Sequence, residues 1–99
     1  MFHKLYEVID YELMDAYSIN VTFNDGKSQT IDFRPVLYGE MWGPLQELTL
    51  FRQVEIDPIA RTLTWPNGAD FDPETLHNWD EYEKSLSERA QAWDMVLAV

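Results

Sequence analysis

The stretch with the most distinctive chemistry is Trp65-Pro66-Asn67-Gly68-Ala69-Asp70. A recognition loop could use Trp65 as an aromatic anchor and Asp70 as a polar handle for a partner. The same residues also suit a turn, because Pro66 blocks further strand pairing and Asn67-Gly68 accepts a positive φ. In that structural role, which we favour, Trp65 ends a strand in the core and Asp70 accepts backbone N–H groups.

Tryptophan is frequent, with four residues in a chain of 99. Trp42 lies in a glycine-flanked segment and Trp79 lies between two predicted helices. These rings could cover the edges of the core, or they could form an exposed aromatic patch for a partner. The residues predicted to bind a partner are therefore Trp42, Trp65, Asn67, Asp70 and Trp79.

Metal chemistry has weak support. The acids of Asp70–Glu74 alternate as in a calcium loop and Glu81 falls at the twelfth position, but Thr75 stands where that loop needs Gly. The chain has no cysteine, and its two histidines, His3 and His77, lack zinc spacing. We expect His77 at the surface, late in a short helix, and we expect no metal and no cofactor.

Catalytic signatures are also missing from the sequence. No serine lies in the strand-turn-helix setting of a nucleophile elbow, and paired carboxylates carry little information in so acidic a chain. We therefore predict no catalytic residues and favour a protein that is not an enzyme.

The net charge of the chain indicates which classes of binding partner are unsuitable. Eighteen acids against seven Lys and Arg give a net charge of −11, and the basic residues are scattered. Direct binding to nucleic acid or to an anionic membrane needs clustered basic residues. No apolar run approaches the roughly 20 residues of a membrane span, and the first residues lack the apolar stretch of a signal peptide. We expect a cytoplasmic protein.

Strict alternation from Tyr17 to Phe23 predicts a half-buried strand, and the apolar positions Ile31 and Phe33 continue the pattern beyond a turn. A three-residue Asn24-Asp25-Gly26 loop places Ile19 opposite Ile31 and keeps both apolar sets on one face. A two-residue loop would turn one set into water. We therefore predict the longer loop, with a left-handed Gly26.

The remaining pattern predicts an α+β fold with an antiparallel sheet of about five strands (a three-stranded meander plus a hairpin), short helices and an amphipathic C-terminal helix. Residues 1–79 would form a small α+β domain, and residues 80–99 a helix packed on the same domain. The first predicted strand is Lys4–Met14, with Leu5, Ile9, Tyr11 and Leu13 on one face. A loop at 38–44, a helix from Pro44 and a hairpin at Val54–Ile56 and Thr62–Trp65 follow it.

Two helices are predicted at the end of the chain, one capped by Asp72 and one capped by Asp80. The second helix has an apolar stripe of Tyr82, Leu86, Ala90, Trp93 and Leu97.

Four segments in order resemble a family of short bacterial proteins classed only as a domain of unknown function: Tyr11-Glu12-Leu13, Phe23-Asn24-Asp25-Gly26-Lys27, Trp65-Pro66-Asn67-Gly68-Ala69-Asp70 and Asp72-Pro73-Glu74-Thr75-Leu76. The resemblance covers residues 4–79 and implies a small α+β domain without an established activity. Some members carry a helix-turn-helix DNA-binding domain after this module. Residues 80–99 are too short and too acidic to form one.

These observations favour an uncharacterised small bacterial interaction or regulatory module without catalysis. It could be the acidic partner of a basic protein, as an antitoxin is of its toxin. A homodimer could form through the 80–97 helix or a sheet edge. The alternatives are a small-molecule-binding protein or enzyme with a pocket near Trp42, Trp65 and Asp70, and a transcription-associated accessory domain.

Overall fold

The computed structural model describes residues 5–97, with side chains as far as residue 92. These residues form an α+β fold with five strands in two antiparallel sheets, four α-helices and two short 3-10 turns. The elements are β1 (Val8–Leu13), β2 (Ser18–Phe23), β3 (Ser28–Asp32), a 3-10 turn (Arg34–Val36), α1 (Gly39–Trp42), a 3-10 turn (Gly43–Gln46), α2 (Leu48–Phe51), β4 (Glu55–Ile56), β5 (Leu63–Thr64), α3 (Pro73–His77) and α4 (Trp79–Leu97).

The prediction of one sheet of about five strands is wrong for the described residues. The first three strands form one sheet in the order β1-β2-β3, and β4 pairs only with β5. The hairpin reaches β1 through a single backbone bond, from the Val8 N–H to the Arg61 carbonyl at 2.9 Å, and through the Tyr11 hydroxyl, which donates to the Val54 carbonyl at 2.9 Å. Strands β4 and β5 have only two residues each, and β1 is interrupted by a bulge. The contact therefore does not extend into a ladder of hydrogen bonds.

The register of β2 and β3 is confirmed. Ile19 lies opposite Ile31, and the Phe33 N–H donates to the Tyr17 carbonyl at 3.0 Å. Gly26 has a φ of +92°, as the three-residue loop requires. Alternation plus a turn signal therefore sufficed to determine this local pairing.

Strand β1 differs from its prediction in which residues it buries. The pairing with β2 shifts between Val8 and Asp10, so that Ile9 is an extra residue in a β-bulge. The shift places Val8 on the core face together with Tyr11 and Leu13, while Ile9 is 57% exposed. Leu5, which we expected on the same face, lies outside the strand and is exposed.

The segment before β4 is more helical than predicted. The predicted loop at residues 38–44 contains α1, and the single helix expected from Pro44 is a 3-10 turn followed by α2. Glu47 breaks it with an extended backbone, ψ 108°, and its carboxylate accepts a hydrogen bond from the Thr49 N–H. Glu47 is thus the N-cap of α2 rather than a residue inside a helix.

The C-terminal helices follow the prediction in part. Asp72 is confirmed as the N-cap of α3, because its carboxylate accepts from the Glu74 N–H at 2.9 Å. Asp80 is not a cap, since α4 begins at Trp79 and Asp80 lies in its first turn. Of the predicted stripe, Ala90 is buried, Leu86 packs against the core and Tyr82 is 36% exposed. The side chains of Trp93 and Leu97 lie outside the described part.

The core joins the apolar face of the three-stranded sheet to the aromatic residues of the second half. Helix α4 contacts the Arg34–Val36 turn, α1 and α3. The expected packing of residues 80–99 as part of one domain stays a prediction. None of the helices in residues 5–97 is long and apolar enough to cross a membrane.

Candidate functional site

Phe71 is the centre on which the tryptophans of the predicted site converge. The Trp42 ring stacks on Phe71 with centroids 4.8 Å apart and an interplanar angle of 6°. Trp65 and Trp79 approach the same ring edge-on at 5.9 and 5.8 Å. Sequence reasoning did not single out Phe71, although an apolar residue between two acids, Asp70 and Asp72, was a usable signal.

Two of the five predicted residues lie in the core. Trp65 is 3% exposed and its indole N–H donates to the Phe51 carbonyl at 2.8 Å, while Trp79 is 6% exposed. These positions support the structural role for both rings. Trp42 is half-buried, and Asn67 and Asp70 are exposed. The five residues therefore do not form one continuous surface, and their role in partner binding stays a prediction.

Asn67 connects the turn of the Trp65–Asp70 segment to α1. Its Oδ1 accepts from the Ala69 N–H at 3.1 Å, and Gly68 has the positive φ of +89° that the turn needs. Its Nδ2 donates to the Met41 carbonyl at 3.0 Å. One side chain thus organises the turn and holds the end of a four-residue helix that could not be stable alone.

Asp70 acts through its backbone rather than through its carboxylate. Its carbonyl accepts from the Trp42 indole N–H at 3.3 Å. The expectation that the carboxylate accepts backbone N–H groups is wrong, because it makes no hydrogen bond with a described residue. The Asn67 side chain and the Asp70 carbonyl thus connect the Trp65–Asp70 segment to Met41 and Trp42 of α1.

Met41 and Trp42, which these hydrogen bonds hold in place, form part of one wall of a cleft of about 320 Å³ between α1 and α4. Apolar and aromatic groups dominate it, and Glu40 and Arg89 are its charged members. The residues around the cleft are Tyr38, Gly39, Glu40, Met41, Trp42, Leu86, Arg89 and Ala90. Trp65 and Asp70 do not line it. Trp65 lines a different cavity, of about 450 Å³, to which neither Trp42 nor Asp70 contributes, so neither cavity brings the three residues together.

His77 is buried, and its predicted surface position is wrong. It is 7% exposed, its Nε2 lies 2.8 Å from Asp25 Oδ2, and its Nδ1 lies 2.9 Å from Asn78 Oδ1. Tyr6 stacks on the ring at 3.8 Å and Phe23 meets it edge-on. With both nitrogens engaged and one face stacked on Tyr6, the imidazole is a structural tie between α3 and the β2–β3 hairpin rather than an accessible base.

The β2–β3 hairpin also binds the end of α3. Lys27 Nζ donates to the His77 carbonyl at 2.6 Å, and the Gln29 amide donates to the same oxygen at 3.0 Å. A cation and an amide donor are favourable partners for the unpaired carbonyls at a helix C-terminus. The contact joins residues about 50 positions apart, so no local pattern revealed it.

The acidic face is the second surface feature; we use this name for the exposed acids Asp72, Glu74 and Glu81 around Tyr82. The pKa of Tyr82 is raised above its ordinary value, first by the negative charge of Glu74, then by partial desolvation and by the charges of Glu81 and Asp72. The charges of α3 and α4 therefore act on one spot. Among the side chains that the structure describes, in residues 5–92, no group of three or more His, Asp or Glu has the geometry to hold a metal ion.

Comparison with known proteins gives one finding about the family. A family model described as "Protein of unknown function (DUF2442)" matches residues 9–82. No curated protein and no solved structure matches the chain.

Proposed function

The chain belongs to the DUF2442 family of proteins of unknown function, and we propose that it is a non-catalytic interaction module whose acidic face binds a basic protein. The observation that carries this proposal is the placement of exposed acids in the first turns of two consecutive helices, Glu74 in α3 and Glu81 in α4. Their charges raise the pKa of Tyr82, which agrees with a negative potential at this place. An aromatic ring within a negative field is a suitable contact for Lys and Arg side chains.

The geometry of the chain explains why these acids converge. Helix α3 ends at His77 and α4 begins at Trp79, so a single residue, Asn78, separates them. Glu74 in the first turn of α3 and Glu81 in the first turn of α4 thereby approach the same tyrosine. Acids in the first turn also favour each helix through its dipole, so the arrangement has little cost in stability.

The charge of the whole chain supports a basic partner. From residue 70 to residue 83 the sequence has six acids and no Lys or Arg, within a net charge of −11. Such a field accelerates the encounter with a positively charged protein and disfavours acidic partners. A specific form of this proposal is an antitoxin-like role, in which the acidic chain covers the basic surface of a toxin.

That the module has no catalytic activity stays a prediction, and the buried polar groups are used within the fold. Every buried side-chain nitrogen or oxygen in the described part has a hydrogen-bond partner. His77, the buried group with the most suitable chemistry for proton transfer, is used in packing and hydrogen bonding. Cytoplasmic location and the alternative of a transcription-associated accessory domain stay predictions.

The test uses two variants of equal charge. Glu74→Gln/Glu81→Gln weakens the acidic face, and Glu12→Gln/Glu55→Gln removes the same number of charges from exposed positions on β1 and β4. Each protein is used to capture partners from native lysate at low and at about 0.15 M salt, and the bound proteins are identified by mass spectrometry.

We expect a basic protein that the wild type and the β1/β4 variant retain and the acidic-face variant loses. Retention should weaken as salt rises, because exposed charges are screened. Equal loss in both variants would mean that net charge alone attracts the protein, and retention by the acidic-face variant would place the contact elsewhere. Either result would overturn the proposal.

A further inference from the structure

The α1–α4 cleft is an apolar surface without a partner among the described residues. Met41 at its edge is 52% exposed, and Trp42 and Leu86 are only half-buried. A flexible thioether beside a large aromatic ring is typical of surfaces that pack against another protein. The acidic face is built on α3 and the first turn of α4, whereas this cleft uses Leu86 and Ala90 further along α4.

The charges of the cleft show what kind of occupant fits it. Glu40 and Arg89 both line the cleft, and neither makes an ion pair or a side-chain hydrogen bond with another described residue. When two identical surfaces meet across a two-fold axis, a residue i of one copy contacts a residue j of the other, and j of the first contacts i of the second. Glu40 lies on the α1 wall and Arg89 on the α4 wall, so the two walls carry charges of opposite sign that a two-fold contact could pair reciprocally.

We propose that the α1–α4 cleft is the contact between two copies of this chain, with Glu40 of each copy facing Arg89 of the other. The apolar groups of Met41, Trp42 and Leu86 would form the centre of this interface and the two ion pairs its rim. In this dimer the hydrogen bonds of Asn67 and Asp70 would hold α1 in the position on which the second copy packs.

A second copy fits this cleft better than a basic protein does. Two chains that each carry a net charge of −11 repel one another over most of their surface. The cleft is a place where this repulsion is relieved, because Arg89 balances Glu40. A basic partner would gain more from the acidic face, where no base opposes it.

The test measures self-association by sedimentation equilibrium over a wide range of protein concentration in about 0.15 M salt. Wild type is compared with Glu40→Arg, with Arg89→Glu, with the double swap Glu40→Arg/Arg89→Glu, and with a mixture of the two single variants. Both positions are exposed, and circular dichroism checks that each variant is folded.

We expect wild type to dimerise and each single variant to dimerise at least about tenfold more weakly, because like charges then meet at two places. The double swap and the mixture of single variants should both recover the association. A strictly monomeric wild type at the highest concentration overturns the proposal. So does a dimer that is insensitive to the single variants, or one that the swap and the mixture do not restore.

Discussion

Asn67 shows how a side chain that looks suited to ligand recognition can be used within the protein. Both ends of its amide are engaged, the oxygen with Ala69 in the turn and the nitrogen with Met41 in α1. The neighbouring Trp65 is likewise directed inward, to the Phe51 carbonyl. Much of the most distinctive sequence motif therefore organises the fold around the cleft, although residues 66–68 and 70 are exposed.

The two halves of the Asn67 amide can be separated by mutation. Asn67→Asp keeps the acceptor for Ala69 and removes the donor to Met41, whereas Asn67→Ala removes both. We expect Asn67→Ala to lower the free energy of unfolding by about 1 kcal/mol and Asn67→Asp to lower it by less. Hydrogen exchange should show faster exchange of the α1 amides in both variants. Unchanged exchange in α1 would show that the contact with Met41 does not hold the helix.

Gly26 offers a test of the hairpin loop. An added Cβ would meet nothing within 4 Å, so the cost of Gly26→Ala comes from the φ of +92° alone. We expect a loss of about 1 kcal/mol in the free energy of unfolding, measured by urea denaturation. Gly43→Ala is the matched control, because its φ is −54° and the nearest atom lies 3.8 Å away. A control that costs as much as Gly26→Ala would contradict this explanation.

At the scale of elements, the sequence predicted the structure where the signal was local. The β2–β3 register follows from alternation on both sides of one turn, and the start of α3 follows from Asp72-Pro73. The bulge at Ile9 was not predictable in this way, because one extra residue inverts which side chains of β1 face the core. The break at Glu47 was missed for a related reason: a Glu that caps α2 has the same sequence signal as a Glu within a helix.

Contacts between distant elements were beyond the reach of sequence patterns. The burial of His77 depends on Asp25, which is 52 residues away, and no spacing rule connects the two. The composition of the cleft depended in the same way on the packing of α4 against α1. The candidate site was therefore predicted only in part: Trp42 lines the cleft, Asn67 and Asp70 position it, and Trp65 and Trp79 lie in the core.

The two predicted helix caps give a paired test at this scale. Asp72→Ala removes a side-chain acceptor from the Glu74 N–H and should destabilise the protein by about 1 kcal/mol. Asp80→Ala removes only a charge from the first turn of α4 and should cost about 0.3 kcal/mol. Thermal or urea unfolding compares them directly. Equal costs would mean that Asp80 also caps a helix, contrary to the structure.

At the scale of the molecule, two surfaces with different chemistry lie on α4 and its neighbours. The acidic face combines acids from α3 and α4 around Tyr82, and the cleft combines apolar groups with one balanced pair of charges. We therefore propose that a basic protein binds the acidic face and that a second copy of the chain binds the cleft.

The most direct measurement of the central claim is site-specific photo-crosslinking in living cells. A benzoylphenylalanine replaces Tyr82 on the acidic face in one protein and Met14, beside the first sheet, in the other; the two positions are 36% and 41% exposed. We predict that the probe at Tyr82 gives a covalent adduct with a basic protein and that the probe at Met14 does not. An adduct with an acidic protein, an adduct at Met14 alone, or no adduct at Tyr82 would contradict the claim that the acidic face binds a basic partner.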